Sequence, residues 1–148
     1  MQSIEVLRDL AVFDRERIEH AVNRHGELRA ANNYDAMAEY YSEHAVLELL
    51  GNRRTFHFAG IHRGRNAVID ILKRMGMEVE FISAEITELL IDGDRAMMRS
   101  KVRVRHRGTG LVLSQEIWDL FRFENGLIAG QTKFFDLKSF DRLRGGES

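Results

Sequence analysis

The spacing of apolar positions changes near Val79. Before it, apolar residues recur every three or four places, the period of a helix; after it they alternate, the period of a strand. In the first half, Ser3 to Phe13 predicts a short amphipathic helix or arm with Ile4, Leu7, Leu10 and Ala11 on one side. Asp14 is a cap for a following helix, Arg15 to Ala31, whose stripe is Ile18, Ala21, Val22, His25 and Leu28. Gly26 lies inside it, at a cost of about 1 kcal/mol against alanine. Asn32-Asn33 marks a break, and Asn33 can cap a second helix from Tyr34 to about Glu43 with Met37, Tyr40 and Tyr41 as its stripe. Ala45 to Leu50 reads as a strand, Gly51 to Arg54 as a turn, Thr55 to Phe58 as a short alternating segment and Gly60 to Gly64 as a loop. A third helix is expected from about Arg65 to Met75, with Ala67, Val68, Ile71, Leu72 and Met75 on one side.

The second half reads as a run of hairpins. Strands are expected over Val79 to Leu90, Arg95 to Arg107, Leu111 to Phe123 and Leu127 to Asp136, separated by Asp92-Gly93-Asp94, by the turn from Arg107 to Gly110, and by Glu124-Asn125-Gly126. The tail after Leu137 reads as the start of a helical turn that frays at Gly145-Gly146. Helices first and hairpin-linked strands afterwards predict an α+β fold, with helices packed on one face of a curved antiparallel sheet.

In the last hairpin Gln115, Ile117, Asp119, Phe121 and Phe123 share one face. A three-residue loop would set Phe123 against Leu127, Asp119 against Gln131 and Ile117 against Lys133, so that Leu127, Ala129, Gln131, Lys133 and Phe135 join that face. A two-residue Asn-Gly loop would shift the pairing and reverse the returning strand.

Composition bounds the function. At 148 residues the chain has the size of one domain, with the core expected over about 14–137. The hydrophobic fraction of 44% and the charged fraction of 30% are those of a globular chain. A net charge of −1 supplies no general pull toward nucleic acid or an acidic membrane. Without cysteine there is no disulfide, thiolate nucleophile or cysteine-ligated metal. No stretch nears the ~20 apolar residues of a membrane span, and the acidic N-terminal segment is no signal peptide, so a cytoplasmic protein is expected.

Candidate chemistry is sparse. Arg99, Lys101, Arg103, Arg105 and Arg107 occupy alternate positions of one strand, as either an anion-binding face or a solvated outer face matched by acids on neighbouring strands. No aromatic residues interleave with them, which argues against a stacking platform for nucleic acid. The histidines, His20, His25, His44, His57, His62 and His106, form no metal-ligand spacing, and no cofactor motif is present. Gly60 to Arg65 lacks the lysine and spacing of a phosphate loop. His25 stands on an apolar stripe, as a buried histidine held by a hydrogen bond or as a proton donor at a pocket wall. Asp119 and Lys133 fall among Ile117, Phe121 and Phe135, as a structural ion pair or as the polar floor of an apolar pocket.

The ordered set of these features resembles the nuclear transport factor 2-like superfamily. It comprises the helices, Ala45 to Leu50, Gly60-Ile61-His62-Arg63-Gly64-Arg65-Asn66-Ala67-Val68, Asp92-Gly93-Asp94, Trp118 to Ile128 and Phe135-Asp136. Within the superfamily it is most similar to SnoaL-like and ketosteroid isomerase-like members, over about Ile18 to Leu137. The resemblance implies a cone: a curved mixed or antiparallel sheet wrapped around three or so helices, enclosing a deep pocket, usually in a homodimer. It implies that Asp119 faces the pocket, and so favours the three-residue loop. It also implies proton transfer next to a carbonyl on a small hydrophobic molecule with a polar end: isomerisation, cyclisation or dehydration, without a cofactor. A non-catalytic ligand-binding or dimerisation module is the alternative. Asp119, Lys133 and His25 are the candidate catalytic residues, and Tyr41, Leu49, Ile71, Phe121, Gln131 and Phe135 the candidate walls. The general base of the isomerases falls near Leu49 and the acid/base aspartate of the cyclases near Lys133, so neither catalytic set is intact here.

Overall fold

The computed structural model describes residues 4–136 and the isolated positions 142 and 145, and of residues 4–13 the backbone alone. The helical turn expected to begin after Leu137 falls on residues outside this set. Helix α1 runs unbroken from Ile4 to Ala30. The separate arm and the cap at Asp14 are therefore corrected: Asp14 is an exposed residue in the middle of the helix. No proline lies in that stretch and its one glycine, Gly26, comes near its end, and Arg and Glu propagate a helix once it has started. The helix ends where Asn32 adopts φ 56 and the Asn33 amide donates to the Leu28 carbonyl at 2.9 Å, a left-handed terminating turn. Ile18, Ala21, Val22, His25 and Leu28 are buried, the stripe expected from their spacing, and Arg29 is buried beside them.

Asn33 caps α2 by accepting from the Ala36 amide at 3.2 Å, but α2 covers only Tyr34–Ala38. Strand β1 begins already at Tyr41 and runs to Leu49. The longer second helix is thus corrected, and Tyr41 reaches the interior from a strand. Pairing overrides local propensity here: β1 lies parallel to the last strand, whose Ile128 amide donates to the Tyr40 carbonyl at 2.8 Å. A second correction concerns the connection to α3. Thr55 to Phe58 lies in turns with Phe56 and Phe58 buried, whereas Gly60–Arg63, read as a loop, forms β2 antiparallel to β1. Helix α3, Arg65–Glu78, buries Val68, Ile71, Leu72 and Met75, matching the predicted stripe.

Four long strands follow: β3 (Val79–Asp92), β4 (Arg95–His106), β5 (Val112–Glu124) and β6 (Leu127–Phe135). They complete a six-stranded sheet in the order β2-β1-β6-β5-β4-β3, antiparallel except for the parallel β1–β6 pair. The α+β architecture is the one expected: three helices and a curved mixed sheet that does not close on itself.

The β5–β6 hairpin settles the open register differently from either expectation. Glu124 faces Leu127, so the loop is the two-residue Asn125-Gly126, with φ values of 51 and 79 that suit a twisted hairpin. Alone, that loop would turn Gln131 and Lys133 away from Asp119. A bulge restores the facing: Arg122 pairs with Gly130 and Phe123 with Ile128, leaving Ala129 as the extra residue. Asp119 therefore lies directly opposite Lys133, not opposite Gln131, and Phe121 is opposite Gln131.

On the outer face three of the five alternate cations, Arg99 and Arg105 of β4 and Arg107 just after it, reach acids. Arg99 reaches Glu116 at 2.6 Å and Glu88 at 3.7 Å, and Arg105 and Arg107 reach Glu80 at 3.4 and 4.0 Å. Ser100, Val102, Val104 and His106 point inward. Among the described residues no helix is long and apolar enough to cross a membrane.

Candidate ligand-binding and catalytic site

The buried side chains fall into two clusters. A large one is built from the helices, β1 and parts of β4, β5 and β6, and a small one from Val102, Val104 and Ile117. Between the C-terminal half of α1 and strands β3 to β6 lies a cavity of about 460 Å³. Phe81, Ile86, Met98, Val102 and Ile117 supply its apolar lining, and His25, Arg29, Ser100, Asp119 and Lys133 its buried polar groups.

Four of the buried polar side chains and Tyr41 form one continuous chain of hydrogen bonds. Lys133 Nζ donates to Asp119 Oδ1 at 2.8 Å, and Gln131 Nε2 donates to the same oxygen at 2.9 Å. Tyr41 Oη donates to Gln131 Oε1 at 2.5 Å, and His25 Nε2 lies 2.7 Å from the Tyr41 oxygen. Asp119, with 1% of its surface exposed, is the acceptor on which the chain ends. That end point orders every donor behind it: Gln131 turns its amide nitrogen to the carboxylate, Tyr41 donates to the amide oxygen, and His25 donates to Tyr41. His25 then carries its proton on Nε2 and leaves Nδ1 as a buried lone pair with no partner among the described residues.

The electrostatics agree with that order. Burial, and after it Lys133, push the His25 imidazole down to about 3, so the ring is neutral at physiological pH. Burial, and after it the Asp119 charge, hold the Tyr41 phenol well above its usual range, so it remains a donor. Burial also lowers Arg29 from its ordinary value. The guanidinium stays in place through Nη1, which donates to Tyr34 Oη at 3.1 Å, and through the rings of Phe81 and Tyr34, whose centroids lie 4.9 and 5.8 Å away.

The three residues proposed from sequence as catalytic, Asp119, Lys133 and His25, all line this cavity. Tyr41 and Gln131 stand behind them as the connecting hydrogen-bond partners, and Phe121 supports His25 edge-on at 5.7 Å. Leu49 and Ile71 are packed into the large cluster, and Phe135 packs against Phe56 at 5.2 Å with Lys133 Nζ 6.0 Å from its ring. Arg29, Ser100 and Met98 were not singled out from sequence. Arg29 carries a readable signal, since it stands four residues after His25 and therefore on the same side of α1. Ser100 and Met98 depend on where β4 crosses the helix, which periodicity does not specify.

Three other histidines are engaged elsewhere. His57 and His106 each reach a Glu78 oxygen, at 2.8 and 2.9 Å, and His62 lies 3.2 Å from the Phe58 carbonyl. Among the described residues no three His, Asp or Glu side chains converge as metal ligands would.

Residues 22–131 match the SnoaL-like domain. No curated protein matches the chain in sequence. A candidate isomerase from Bacillus subtilis superposes with a TM-score of 0.81 at 14% identity, over 90% of this chain and 96% of its own. The protein Bal32a from a soil-derived mobile gene cassette gives 0.73 at 23% identity, over 88% and 98%. An LEH-like epoxide hydrolase of Mycobacterium tuberculosis gives 0.70 at 19% identity, over 88% and 92%. At these identities the likeness is one of fold.

Proposed function

The chain belongs to the SnoaL-like domain family, and from that premise we propose that its cavity binds a small, mostly apolar molecule with one polar end and moves a proton next to a carbonyl. The Lys133–Asp119 pair at 2.8 Å on the cavity wall carries this reading. Both hydrogen bonds to Asp119 fall on Oδ1, so Oδ2 is the oxygen available to a substrate. Asp119 therefore acts as base. It takes a proton from the carbon beside the carbonyl, the C–H pair becomes a carbon–carbon double bond as the carbonyl π pair moves onto oxygen, and Lys133 Nζ donates to the oxyanion that forms. Return of the proton to a different carbon completes an isomerisation. His25 and Tyr41 hold Gln131, and through it Asp119, in one orientation.

The test is hydrogen exchange from D2O into a panel of apolar ketones. The native protein accelerates exchange above the buffer rate, and Asp119→Asn lowers the acceleration by about 10²–10⁴-fold. Equal exchange in both proteins would remove the catalytic role. In that event the second reading, a cavity that binds without turnover, is favoured by the neutralisation of Asp119 by Lys133.

A homodimer is part of the same proposal. Trp118 and Phe134 stand opposite each other on the outer face of the sheet, each 37% exposed, beside a concavity of about 890 Å³. Such an apolar pair on an otherwise charged face suits a second copy. Light scattering should give twice the 17.1 kDa chain mass, and Trp118→Glu with Phe134→Glu should reduce it to one.

A further inference from the structure

We propose that the polar end of the ligand is a carboxylate and that Arg29 binds it. This rests on the reading of the cavity as a ligand site and names the class of molecule that enters. Among the described residues, Arg29, Lys133 and Asp119 are buried charges on the cavity wall. Asp119 is matched by Lys133. His25 is neutral, and among the described residues no carboxylate is hydrogen-bonded to Arg29, whose partner there is the Tyr34 hydroxyl. Glu27 and Glu85, which also line the cavity, are exposed to solvent, so among the described residues Arg29 is the buried charge of the wall that no ion pair matches. Burying such a charge without a counter-ion is costly, and an anion in the cavity would supply one.

The geometry of the guanidinium is specific. Tyr34 occupies Nη1, while Nε is buried with no partner among the described residues. The edge formed by Nε and Nη2 is the one that takes a carboxylate side-on through two parallel hydrogen bonds. The position also selects the charge of the ligand. Arg29 lies in the last turn of α1, where unpaired carbonyls carry partial negative charge, and a dianion such as a phosphate ester is disfavoured there. A single cation opposed by a helix C-terminus suits a monoanion. The apolar wall of Phe81, Ile86, Met98, Val102 and Ile117 suits a hydrocarbon body. Arg29 stands one helical turn, about 6 Å, from His25, so a carboxylate there leaves the remainder of the ligand against the Asp119–Lys133 pair. The expected ligand is an apolar monocarboxylic acid, with the group that reacts placed away from the carboxylate.

The experiment is a comparison of decanoate with decanamide, which share size and apolar surface and differ in charge. Binding is followed by calorimetry and by NMR of the Arg29 Nε–H resonance. The native protein should bind decanoate at least tenfold more tightly than decanamide, and the Nε–H resonance should move with the acid alone. Arg29→Met keeps the length and apolar contact of the side chain, and should bring the two affinities within twofold. Should that variant fail to fold, the resonance shift in the native protein decides. Equal affinities in the native protein, or an acid preference that survives in Arg29→Met, overturn the carboxylate assignment while leaving the cavity reading intact. Gly26→Leu separates the two readings further. Gly26 lines the cavity, and a Cβ there meets nothing within 4 Å, so a leucine would occupy the space and should abolish binding of both molecules. Binding of neither molecule to the native protein, or binding of both unchanged in Gly26→Leu, overturns the cavity reading and the carboxylate assignment together.

Discussion

Replacing Lys133 by methionine removes the ammonium but keeps most of the side-chain length. Asp119 would then keep one hydrogen bond, from Gln131, and lose its counter-ion at a position with 1% of its surface exposed. Breaking a buried pair from one side costs about 3–5 kcal/mol, because the remaining charge is desolvated and unmatched. Replacing Asp119 by asparagine in the same protein removes that charge. The new amide would still accept from Gln131 through its oxygen, and its nitrogen would take the place of the carboxylate Oδ2 at the cavity. The double variant Asp119→Asn/Lys133→Met should therefore lose only about 1–2 kcal/mol, the value of a hydrogen bond and some packing. The two substitutions together would cost less than Lys133→Met alone, a coupling of at least about 2 kcal/mol. Urea unfolding of the four proteins, followed by tryptophan fluorescence and circular dichroism, measures each term. The reasoning fails if the double variant is as unstable as the sum of the single ones. Water entering the cavity would then be solvating Asp119, and the pair would not be the electrostatic centre of the site.

Three further outcomes follow from other features of the site. The folded protein holds His25 at about 3 against 6.5 when unfolded, so between those values the unfolded chain binds the extra proton; stability is full above pH 6.5 and falls by about 1.4 kcal/mol per pH unit below it, and His25→Gln should remove this part of the decline in unfolding experiments at pH 7 and pH 5. Gly26→Ala should raise the unfolding free energy by about 0.5–1 kcal/mol, since the position is helical and the added methyl meets nothing; a loss would mean that the open space there is not available. Gly76→Ala should lower stability by about 1–3 kcal/mol, because its Cβ would lie 2.0 Å from the Tyr34 hydroxyl that holds Arg29, and Tyr34→Phe in the same protein should recover part of the loss.

Periodicity locates what depends on neighbours in sequence. The stripes of α1 and α3, the hairpin turns at Gly93 and Gly126, and the inward and outward faces of β4 are legible because side-chain direction follows the local backbone period. The inward face of Asp119 comes from the same alternation together with the family resemblance. Elements that owe their conformation to a distant strand are not legible in this way. Local pattern puts Tyr41 in a helix, Gly60–Arg63 in a loop, and β6 in a register without the bulge at Ala129, and the structure corrects all three.

Two of those corrections, at Tyr41 and at the bulge, meet at the site. By itself the sequence determined an α+β chain, an amphipathic first helix bearing His25, and a hairpin that carries Asp119 and Lys133. Only the tertiary structure decided that Tyr41 and Gln131 join His25 to Asp119, and that Lys133 lies directly across from it. It also decided that Arg29 lines the cavity with, among the described residues, no partner at Nε. The reason is that a hydrogen bond between residues ninety positions apart, such as Tyr41 to Gln131, depends on which strands pair and in what register. Neither is encoded in the local alternation of polar and apolar side chains.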